Sequence, residues 1–292
     1  MKQSKTSHIF NGLNIIIMLF IILVTAYPVY YVIVASFSDP GALSKHIGPL
    51  LAPLKPYTLS AYKMVFKNAL IGSGFRNTLF ILIVGLIINM TMTSLGAYFL
   101  TVKGPMLKTP ITFMIIFTMY FSGGLVPAYL NIRDLHLIDS IWALILPCAI
   151  DTTNLIILKC AFQSIPENLV ESATLDGASH PQILTKIMLP VVKSTLAVLI
   201  LYYAVAYWNS WFNASIYLQS SDKYPLQLVV RNILAATSSQ AMMEGVGAAD
   251  VAQVAELVKY ALVVVTTAPI MVVYPFVQKY FEKGVMIGAV KG

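Results

Sequence analysis

The sequence predicts an all-α membrane protein with six transmembrane helices, and three observations lead to this class. Apolar residues make up 58% of the 292 residues, and charged residues make up only 11%, well below the roughly 25% of a soluble domain. The mean hydropathy is +0.78. Six stretches approach the roughly 20 apolar residues that a helix needs to cross a bilayer. This composition disfavours intrinsic disorder, a disulfide scaffold and a nucleic-acid-binding domain.

The predicted spans follow one another along a single transmembrane domain that covers residues 1–292. The first apolar stretch follows Lys2 and Lys5, as the core of a signal peptide does. It is longer than such a core and no small-residue cleavage site follows it, so we expect a retained span. The fourth apolar run, residues 140–158, contains one charge, Asp151. The predicted spans are residues 13–37, 74–102, 109–131, 138–160, 188–218 and 258–281.

The net charge of +7 defines neither a partner nor a topology. The chain has no dense basic run of the kind that binds nucleic acid, and positive charge commonly flanks membrane spans. An even number of spans puts both termini on one side, and Lys2 and Lys5 favour the cytoplasm. The 19 Lys and Arg residues then divide almost evenly between the two sides, so charge alone leaves the orientation open.

Three long connections join the predicted spans. Outer loop 38–73 starts as extended or turning chain and continues into a short interfacial helix, for which Ser60 is the expected N-cap. Outer loop 219–257 is rich in Ala, Gly and Ser and is expected to form small helices. The connection 164–190 carries the most specific local signals.

This third connection is predicted to contain two helices joined at a glycine, an arrangement that we call the elbow. Ser164 and Glu167 have the spacing of a capping box at the start of the first helix. Pro166 fits the first turn, where its missing N–H group costs nothing.

The end of the first elbow helix is predicted at Gly177, which is placed to take the left-handed conformation of a helix C-cap. Ser179 and Gln182 open the second helix in the manner of a capping box, and that helix runs to Pro190. On these grounds alone, the elbow is equally well an ordinary connecting hairpin.

The elbow also carries a family signature. Residues 171–178 read Glu-Ser-Ala-Thr-Leu-Asp-Gly-Ala, and after eight further residues 187–190 read Ile-Met-Leu-Pro. This pattern resembles the EAA loop of permease subunits in binding-protein-dependent ABC importers. Ser172 stands where Ala is commoner in that family, and Ile183 or Leu184 where an aromatic residue is frequent. Small and apolar character is kept at these positions.

Further stretches resemble the maltose-importer-type carbohydrate permeases within that group. They are Phe-Arg-Asn-Thr at 75–78, Trp-Asn at 208–209, Tyr-Pro-Phe-Val-Gln-Lys-Tyr-Phe at 274–281 and the tail at 283–292. The resemblance covers nearly the whole chain and implies the fold of an ABC type I importer permease. Within the family, the chain is most similar to the branch that handles complex oligosaccharides, including acidic ones.

The resemblance implies an orientation and a role for the elbow. The family places this loop in the cytoplasm, which puts both termini there, in a multi-pass protein of the cytoplasmic membrane. Helix 165–176 is then a coupling helix seated in a cleft of an ATPase subunit. The residues implied in coupling are Glu167, Glu171, Ser172, Ala173, Asp176, Gly177, Ala178, Ile187, Leu189 and Pro190.

The resemblance also implies the partners. These are a second homologous permease subunit, two ATPase subunits that carry ATP and Mg, an extracytoplasmic solute-binding protein and the lipid bilayer. The tail after Gly284 is implied to reach the ATPase pair. No nucleic acid is expected to bind.

Several kinds of chemistry are not expected in this chain. No Walker A sequence is present, so we expect neither ATP hydrolysis nor a cofactor in this subunit. The four histidines are scattered without metal-ligand spacing. Cys148 and Cys160 both lie in or beside one apolar segment, which supports neither a disulfide framework nor a metal site.

Polar residues inside predicted spans are candidates for a substrate path, because such groups are costly unless they are paired or face water. Asp151 and Asn154 either hydrogen-bond sugar hydroxyls in a cavity or belong to a helix end or packing cluster. The aromatic and amide residues of the fifth span suit either a saccharide path or an aromatic belt at the membrane interface. The belt is favoured for Trp211 and Asn213. In the second span, Asn89 is expected to pack between helices. The candidate path residues are Asp151, Asn154, Tyr203, Tyr207, Trp208 and Asn209.

The sequence therefore predicts the permease subunit of an ATP-driven oligosaccharide importer that works by alternating access. An importer of a non-sugar solute is the alternative within the same class, because the elbow is shared across importers. A secondary transporter or channel that works without ATP is the rival from another class. A membrane enzyme is disfavoured, since no span offers a paired nucleophile and base.

Overall fold

The computed structural model describes residues 5–104, 106–243, 256–273 and 275. Helices dominate these residues, because an α-helix satisfies its own backbone groups inside a bilayer. They are α1 Lys5–Ser36, α2 Pro40–Lys45, α3 Ser60–Lys67, α4 Ala69–Thr101, α5 Lys108–Tyr120, α6 Leu125–Asp134, α7 Trp142–Cys148, α8 Thr152–Gln163, α9 Glu167–Leu175, α10 His180–Val191, α11 Lys193–Trp208, α12 Phe212–Tyr217, α13 Leu226–Met243 and α14 Glu256–Val273.

Among the described residues, three helices are long and apolar enough to cross a membrane alone, namely Phe10–Ser36 of α1, α4 and α14. The pairs α5–α6, α7–α8 and α10–α11 pass the same test together, with bends of 119°, 44° and 87°. Counting each bent pair as one span gives up to six. The protein is thus an all-helical membrane protein of up to six spans, as its sequence predicts. The exact span bounds stay predictions.

The breaks inside the bent pairs have local causes in the sequence. Gly124, between α5 and α6, has a φ of +88°, a conformation that favours glycine because it lacks a Cβ atom. Asp151, between α7 and α8, caps the second helix, since its Oδ1 accepts a 2.8 Å hydrogen bond from the Asn154 N–H.

The chain forms two compact units, which are Met1–Ala69 with Asn232–Pro269 and Leu70–Arg231 with Ile270–Gly292. In the first unit, Val34, Ala35 and Leu50 are buried together. The ring of Tyr31 meets that of Tyr260 edge-on, with centroids 5.9 Å apart.

The predicted outer loop 38–73 forms the short helix that its sequence predicts, but with a different cap. Helix α3 begins at Ser60, and Leu59 is the N-cap residue. The prediction that Ser60 caps this helix is therefore wrong. The preceding α2 does have a side-chain cap, because Asp39 Oδ2 accepts a 2.9 Å hydrogen bond from the Ala42 N–H.

The second unit has two buried apolar clusters. The elbow core lies around Leu155, Leu158, Phe162, Ile183 and Leu199, which bring α8, α10 and α11 together. The second core includes Ile81, Ile145, Tyr207, Tyr217 and Leu228, which join α4, α7, α11, α12 and α13.

Two predicted segments have a finer structure than expected. The fifth predicted span, 188–218, is not one helix, because α11 ends at Trp208 and α12 begins only at Phe212. Of the predicted outer loop 219–257, the described part contains the short 3₁₀ helix Ser221–Lys223, one α-helix of 18 residues, Leu226–Met243, and the start of α14 at Glu256. Residues 244–255 of that loop lie outside the described residues.

Some helices present apolar surface that this chain does not cover. None of the most apolar window of Phe10–Ser36 is buried, and α5 has no buried residue. Apolar surface on this scale indicates contact with lipid or with another subunit.

Candidate functional site

The turn of the elbow is a complete Schellman motif. Gly177 has a φ of +78° and follows Asp176, the C-cap residue of α9. The Ala178 N–H donates to the Ala173 carbonyl at 2.9 Å, and the Gly177 N–H donates to the Thr174 carbonyl at 3.1 Å. These two bonds satisfy carbonyls at the helix end, so the predicted glycine C-cap is confirmed.

The second elbow helix starts where its sequence predicts. The Ser179 N–H and hydroxyl donate to Gln182 Oε1 at 2.8 and 3.0 Å. Residues Ile183–Met188 then form a π-helical segment just before Leu189 and Pro190. Pro190 removes a donor from the helix interior, and a wider turn accommodates such a residue.

The capping box predicted at Ser164 and Glu167 is wrong. Ser164 is the C-cap residue of α8, and its hydroxyl donates to the Ala161 carbonyl at 2.7 Å. The Glu167 carboxylate instead accepts a 2.8 Å hydrogen bond from Lys103 Nζ. With only three residues between α8 and α9, Ser164 belongs to the end of one helix and cannot begin the next.

Two side-chain contacts join the elbow to the chain at the end of α4. Glu167 pairs with Lys103, and the hydrogen bond and charge of its carboxylate raise the pKa of Lys103. The Tyr98 hydroxyl lies 2.7 Å from His180 Nδ1. Both elbow helices are therefore tied to one membrane-spanning helix and its C-terminal extension, although the exposed ion pair adds little stability.

The elbow residues divide between an exposed face and a packed face. Glu171, Ser172 and Asp176 are exposed, and Leu175 is 88% exposed. Residues with small or apolar side chains turn inward instead, where they pack against the elbow core; they are Ala173, Ala178 and Leu189. The exposed face is thus the part of the elbow that is free to meet another subunit.

A cavity of about 720 Å³ opens in the second unit. Its lining mixes aromatic, amide and apolar side chains, which is the usual chemistry of a small-molecule site. The lining residues are Asn89, Leu144, Pro147, Cys148, Ile150, Asp151, Asn154, Tyr202, Tyr203, Ala206, Tyr207, Asn209, Ser210, Trp211, Phe212 and Asn213.

Hydrogen bonds between helices hold one wall of this cavity. The fully buried Asn89 donates to the Cys148 carbonyl at 2.7 Å, and its Oδ1 accepts from the Tyr207 hydroxyl at 2.7 Å. The Tyr203 hydroxyl lies 2.8 Å from Thr93 Oγ1 and accepts a 3.0 Å bond from the Asp151 N–H. These polar groups join α4, α11 and the α7–α8 break, as expected for packing inside a membrane protein.

The structure brings five of the six predicted path residues to the cavity, namely Asp151, Asn154, Tyr203, Tyr207 and Asn209. Trp208 is not among the lining residues. Its side chain is buried against Phe75, with ring centroids 6.4 Å apart. Trp208 therefore does not line this cavity, because successive residues of a helix point in different directions; a place for Trp208 in the substrate path stays a prediction.

Trp211 and Asn213 line the cavity although their sequence context favoured an interfacial belt. They follow the end of α11, so the chain turns them toward the cavity and not along a continuing helix. The Arg231 guanidinium lies 4.5 Å from the centroid of the Trp211 ring, an arrangement that orients the indole through a cation–π contact. No sequence signal marked this pairing.

A second polar cluster, around Asp139, joins the segment between α6 and α7 to the segment between α12 and α13. Its carboxylate accepts hydrogen bonds from the Gln219 N–H at 2.9 Å, from the Ser220 N–H and hydroxyl at 2.9 and 2.6 Å, and from Lys223 Nζ at 2.7 Å. These donors, Lys223 first, hold the pKa of Asp139 well below its usual range. Asp139 has a φ of 56°, so this cluster fixes a left-handed backbone.

In the described ranges, no group of three or more His, Cys, Asp or Glu side chains is arranged to hold a metal ion. Cys148 and Cys160 are both free thiols.

No protein-family model matches the chain. The polygalacturonan/rhamnogalacturonan transport system permease protein YtcP of Bacillus subtilis (strain 168) is 40% identical over 272 residues, which cover 92% of this chain and 94% of that protein. Protein LplC of the same organism is 37% identical over 100% of this chain and 98% of its own. The inner membrane ABC transporter permease protein YcjP of Escherichia coli (strain K12) is 28% identical over 93% of each chain.

A solved structure supports the same relationship. A chain in the crystal structure of a bacterial ABC transporter involved in the import of the acidic polysaccharide alginate matches with a TM-score of 0.86 and 30% identity. The match covers 96% of this chain and 99% of that one.

The fold, the elbow and these similarities define a membrane-embedded subunit of an ABC transporter. The chain belongs to the permease family of carbohydrate ABC importers. It is a multi-pass protein of the inner membrane and is not itself the ATPase. The predictions of the family, the fold class and the permease role are therefore confirmed.

Proposed function

We propose that this chain carries oligosaccharide across the cytoplasmic membrane by alternating access, coupled to separate ATPase subunits and fed by an external solute-binding protein. The observation that carries the proposal is the elbow, whose family signature lies on a rigid turn with an exposed acidic face. Relatives support an oligosaccharide as the substrate, because their names refer to polygalacturonan or rhamnogalacturonan and to arabinooligosaccharides.

In this proposal the elbow is the coupling site and lies in the cytoplasm, with both termini on the same side. Glu171, Ser172 and Asp176 meet a cleft of an ATPase subunit, and Gly177 sets the angle between the elbow helices. The inward residues, including Ala173 and Ala178, hold the elbow against its own core. The tail after Gly284, for which an ATPase contact is implied, lies outside the described residues.

In the proposed cycle, the elbow transmits the movement of the ATPase subunits to the membrane spans. When ATP closes the ATPase pair, α9 moves with its cleft and the spans switch from inward-open to outward-open. Hydrolysis resets the transporter. The Tyr98–His180 and Lys103–Glu167 contacts support this scheme, because they connect both elbow helices to α4, whose Asn89 lines the cavity.

The proposed complex contains a second homologous permease subunit. The apolar surfaces of Phe10–Ser36 and α5 are not buried within the described residues, so they are available for contacts with lipid and with such a partner. In this complex the partner closes the open part of the cavity, and both subunits line the sugar path.

The cavity is the proposed contribution of this chain to that path. Trp211 offers an aromatic face to a sugar ring, and amides such as Asn209 and Asn213 offer donors and acceptors to its hydroxyls. The cavity volume of about 720 Å³ suits a few sugar units.

The coupling proposal is tested by Glu171→Ala combined with Gly177→Pro in the assembled transporter. We expect uptake of sugar and substrate-stimulated ATPase activity to fall together, while the complex still assembles. Asp134→Asn is the matched control, because Asp134 is an exposed acidic residue paired with Arg133 and outside the elbow. Unchanged uptake and stimulation in the double variant would contradict the coupling role.

A secondary transporter, the rival function that works without ATP, would give the opposite uptake result in vesicles. Uptake by this chain alone, driven by an ion gradient and insensitive to vanadate, would support a secondary transporter. For the proposed importer, we expect no uptake until the ATPase subunits and ATP are supplied.

A further inference from the structure

We infer, on the basis of the proposed function, that Asp151 makes the cavity of this subunit select uncharged saccharide units over uronate units. In this half of the path, an anionic sugar unit is bound more weakly than an uncharged one. This preference holds whichever neutral sugar the transporter carries.

The cavity lining contains one acidic side chain and no Lys or Arg side chain. Among its lining residues, Asp151 alone belongs to the Asp, Glu, Lys and Arg class. The other polar members are hydroxyl, amide, thiol or indole groups, which suit sugar hydroxyls and carry no charge at neutral pH. The lining therefore offers one negative charge and no basic side chain to a substrate.

The Asp151 carboxylate is not neutralised by a side-chain cation. The ion pairs within the described residues are Lys103–Glu167, Arg133–Asp134 and Lys223–Asp139, and none of them includes Asp151. Asp151 itself is exposed. Its Oδ1 accepts the Asn154 N–H, which leaves lone pairs on the carboxylate for hydroxyl donors of a bound sugar.

The position of Asp151 at a helix N-terminus gives its charge a specific effect. Helix α8 starts at Thr152 and runs for 12 residues, so its N-terminal end carries partial positive charge. Alone, that end would attract an anionic group. The full negative charge of Asp151 outweighs this partial charge, so the field beside the N-terminal end of α8 is negative. The Arg231 guanidinium contacts a different lining residue, Trp211.

A sugar carboxylate that enters this cavity therefore meets a like charge, while a hydroxyl meets an acceptor. Two like charges a few ångströms apart in a wet site repel by enough to weaken binding about fivefold to tenfold. If the whole transporter accepts acidic saccharides, the cationic groups that recognise them must come from the partner permease or the solute-binding protein.

The test is Asp151→Asn, because Asn is as good an N-cap as Asp and keeps an oxygen acceptor while the charge is lost. The assembled transporter is placed in nanodiscs without the solute-binding protein, so that only the membrane path selects. Equilibrium binding is measured for an arabino-oligosaccharide and for an oligogalacturonate of the same number of units.

We expect Asp151→Asn to raise the oligogalacturonate-to-arabino-oligosaccharide affinity ratio by about fivefold to tenfold over the wild type at low ionic strength. This increase should shrink as salt is added, because the repulsion is screened. Asp134→Asn, which removes the same charge outside the cavity, should leave the ratio unchanged.

An unchanged or lower ratio in Asp151→Asn would overturn the inference while leaving the proposed function in place. An equal rise in Asp134→Asn would also overturn it, because the effect would then be one of net charge. Failure of the wild type and of Asp151→Asn to bind either sugar would also overturn the inference, because the cavity would then not select between sugars by itself. The proposed function is tested separately, by uptake with the solute-binding protein, the ATPase subunits and ATP present, and absence of that uptake would contradict it.

Discussion

The Tyr207 hydroxyl donates a 2.7 Å hydrogen bond to Oδ1 of Asn89, and both residues also line the cavity. Asn89 is fully buried and uses its amide nitrogen for the Cys148 carbonyl. One asparagine thus joins three separate segments of the second unit. The same side chains that hold the helices together also form the wall of the proposed sugar path.

Removing the Tyr207 hydroxyl should destabilise the protein without reshaping it. In Tyr207→Phe, the Asn89 oxygen is left buried without its donor, and we expect a loss of about 1 kcal/mol in the free energy of unfolding. Thermal unfolding in nanodiscs measures the change. Tyr202→Phe is the control, because Tyr202 lines the same cavity and has no described hydrogen bond. Equal losses in both variants would contradict the role of the bond.

A methyl group at Gly85 should displace the same tyrosine. A Cβ atom there would lie 2.5 Å from ring atoms of Tyr207, whose ring is buried and hydrogen-bonded and so cannot move freely. We expect Gly85→Ala to cost about 1–3 kcal/mol, as overpacking of a core does. Gly72→Ala on the same helix is the control, since nothing lies within 4 Å of its Cβ position. Gly85→Ala should therefore unfold at a lower temperature than Gly72→Ala, and equal unfolding temperatures would contradict the clash with Tyr207.

The elbow turn depends on the left-handed backbone of Gly177. We expect Gly177→Ala to strain the turn by about 1–2 kcal/mol and to lower the amount of sugar carried per ATP hydrolysed. Gly177→Asn should retain more of this coupling, because asparagine tolerates the left-handed conformation. Uptake and ATPase activity measured on the same proteoliposomes give the ratio. A loss as large in Gly177→Asn as in Gly177→Ala would mean that backbone conformation is not the cause.

The Asp139 cluster should loosen in acid. Because hydrogen bonds lower the folded-state pKa of Asp139, its contribution to stability is complete above its unfolded pKa of about 3.9 and is lost as the pH falls through the folded-state pKa. Hydrogen exchange at the Gln219 and Ser220 amides reports this directly. At pH 6 these amides should exchange faster in Asp139→Asn than in the wild type.

The difference between Asp139→Asn and the wild type should narrow at pH 3 and below, after correction for intrinsic exchange rates. Asp134→Asn, a neighbouring acidic residue paired with Arg133, should change neither amide. A difference that persists unaltered into strong acid would show that the carboxylate charge is not what holds the segment.

The parts of the elbow that the sequence predicts correctly depend on neighbouring residues alone. Gly177 needs only a helix before it, and the Ser179–Gln182 contact is closed within one turn. The capping box at Ser164 failed because Ser164 is the C-cap residue of α8 and because Glu167 is bound by Lys103, 64 positions earlier. Contacts of that range depend on packing between helices, which local spacing does not contain.

The cavity lining is likewise predicted only in part from the sequence. Composition predicts that the aromatic and amide residues of the fifth span belong together, and five of the six candidate residues do line one cavity. Composition does not predict that α11 ends at Trp208. Trp208 is the last residue of α11 and packs against Phe75, while Trp211 lies beyond the helix end and reaches the lining.

The double role of the cavity wall constrains how this subunit can evolve. In the proposed sugar path, a substitution at Asn89, Tyr203 or Tyr207 that alters sugar binding also breaks a hydrogen bond between helices, so a new specificity gained there carries a loss of stability. Tyr202 and Asn213 face the same cavity without a described bond of this kind. Divergence of substrate preference among related permeases should therefore begin at such positions, where mutation is tolerated before any compensating change.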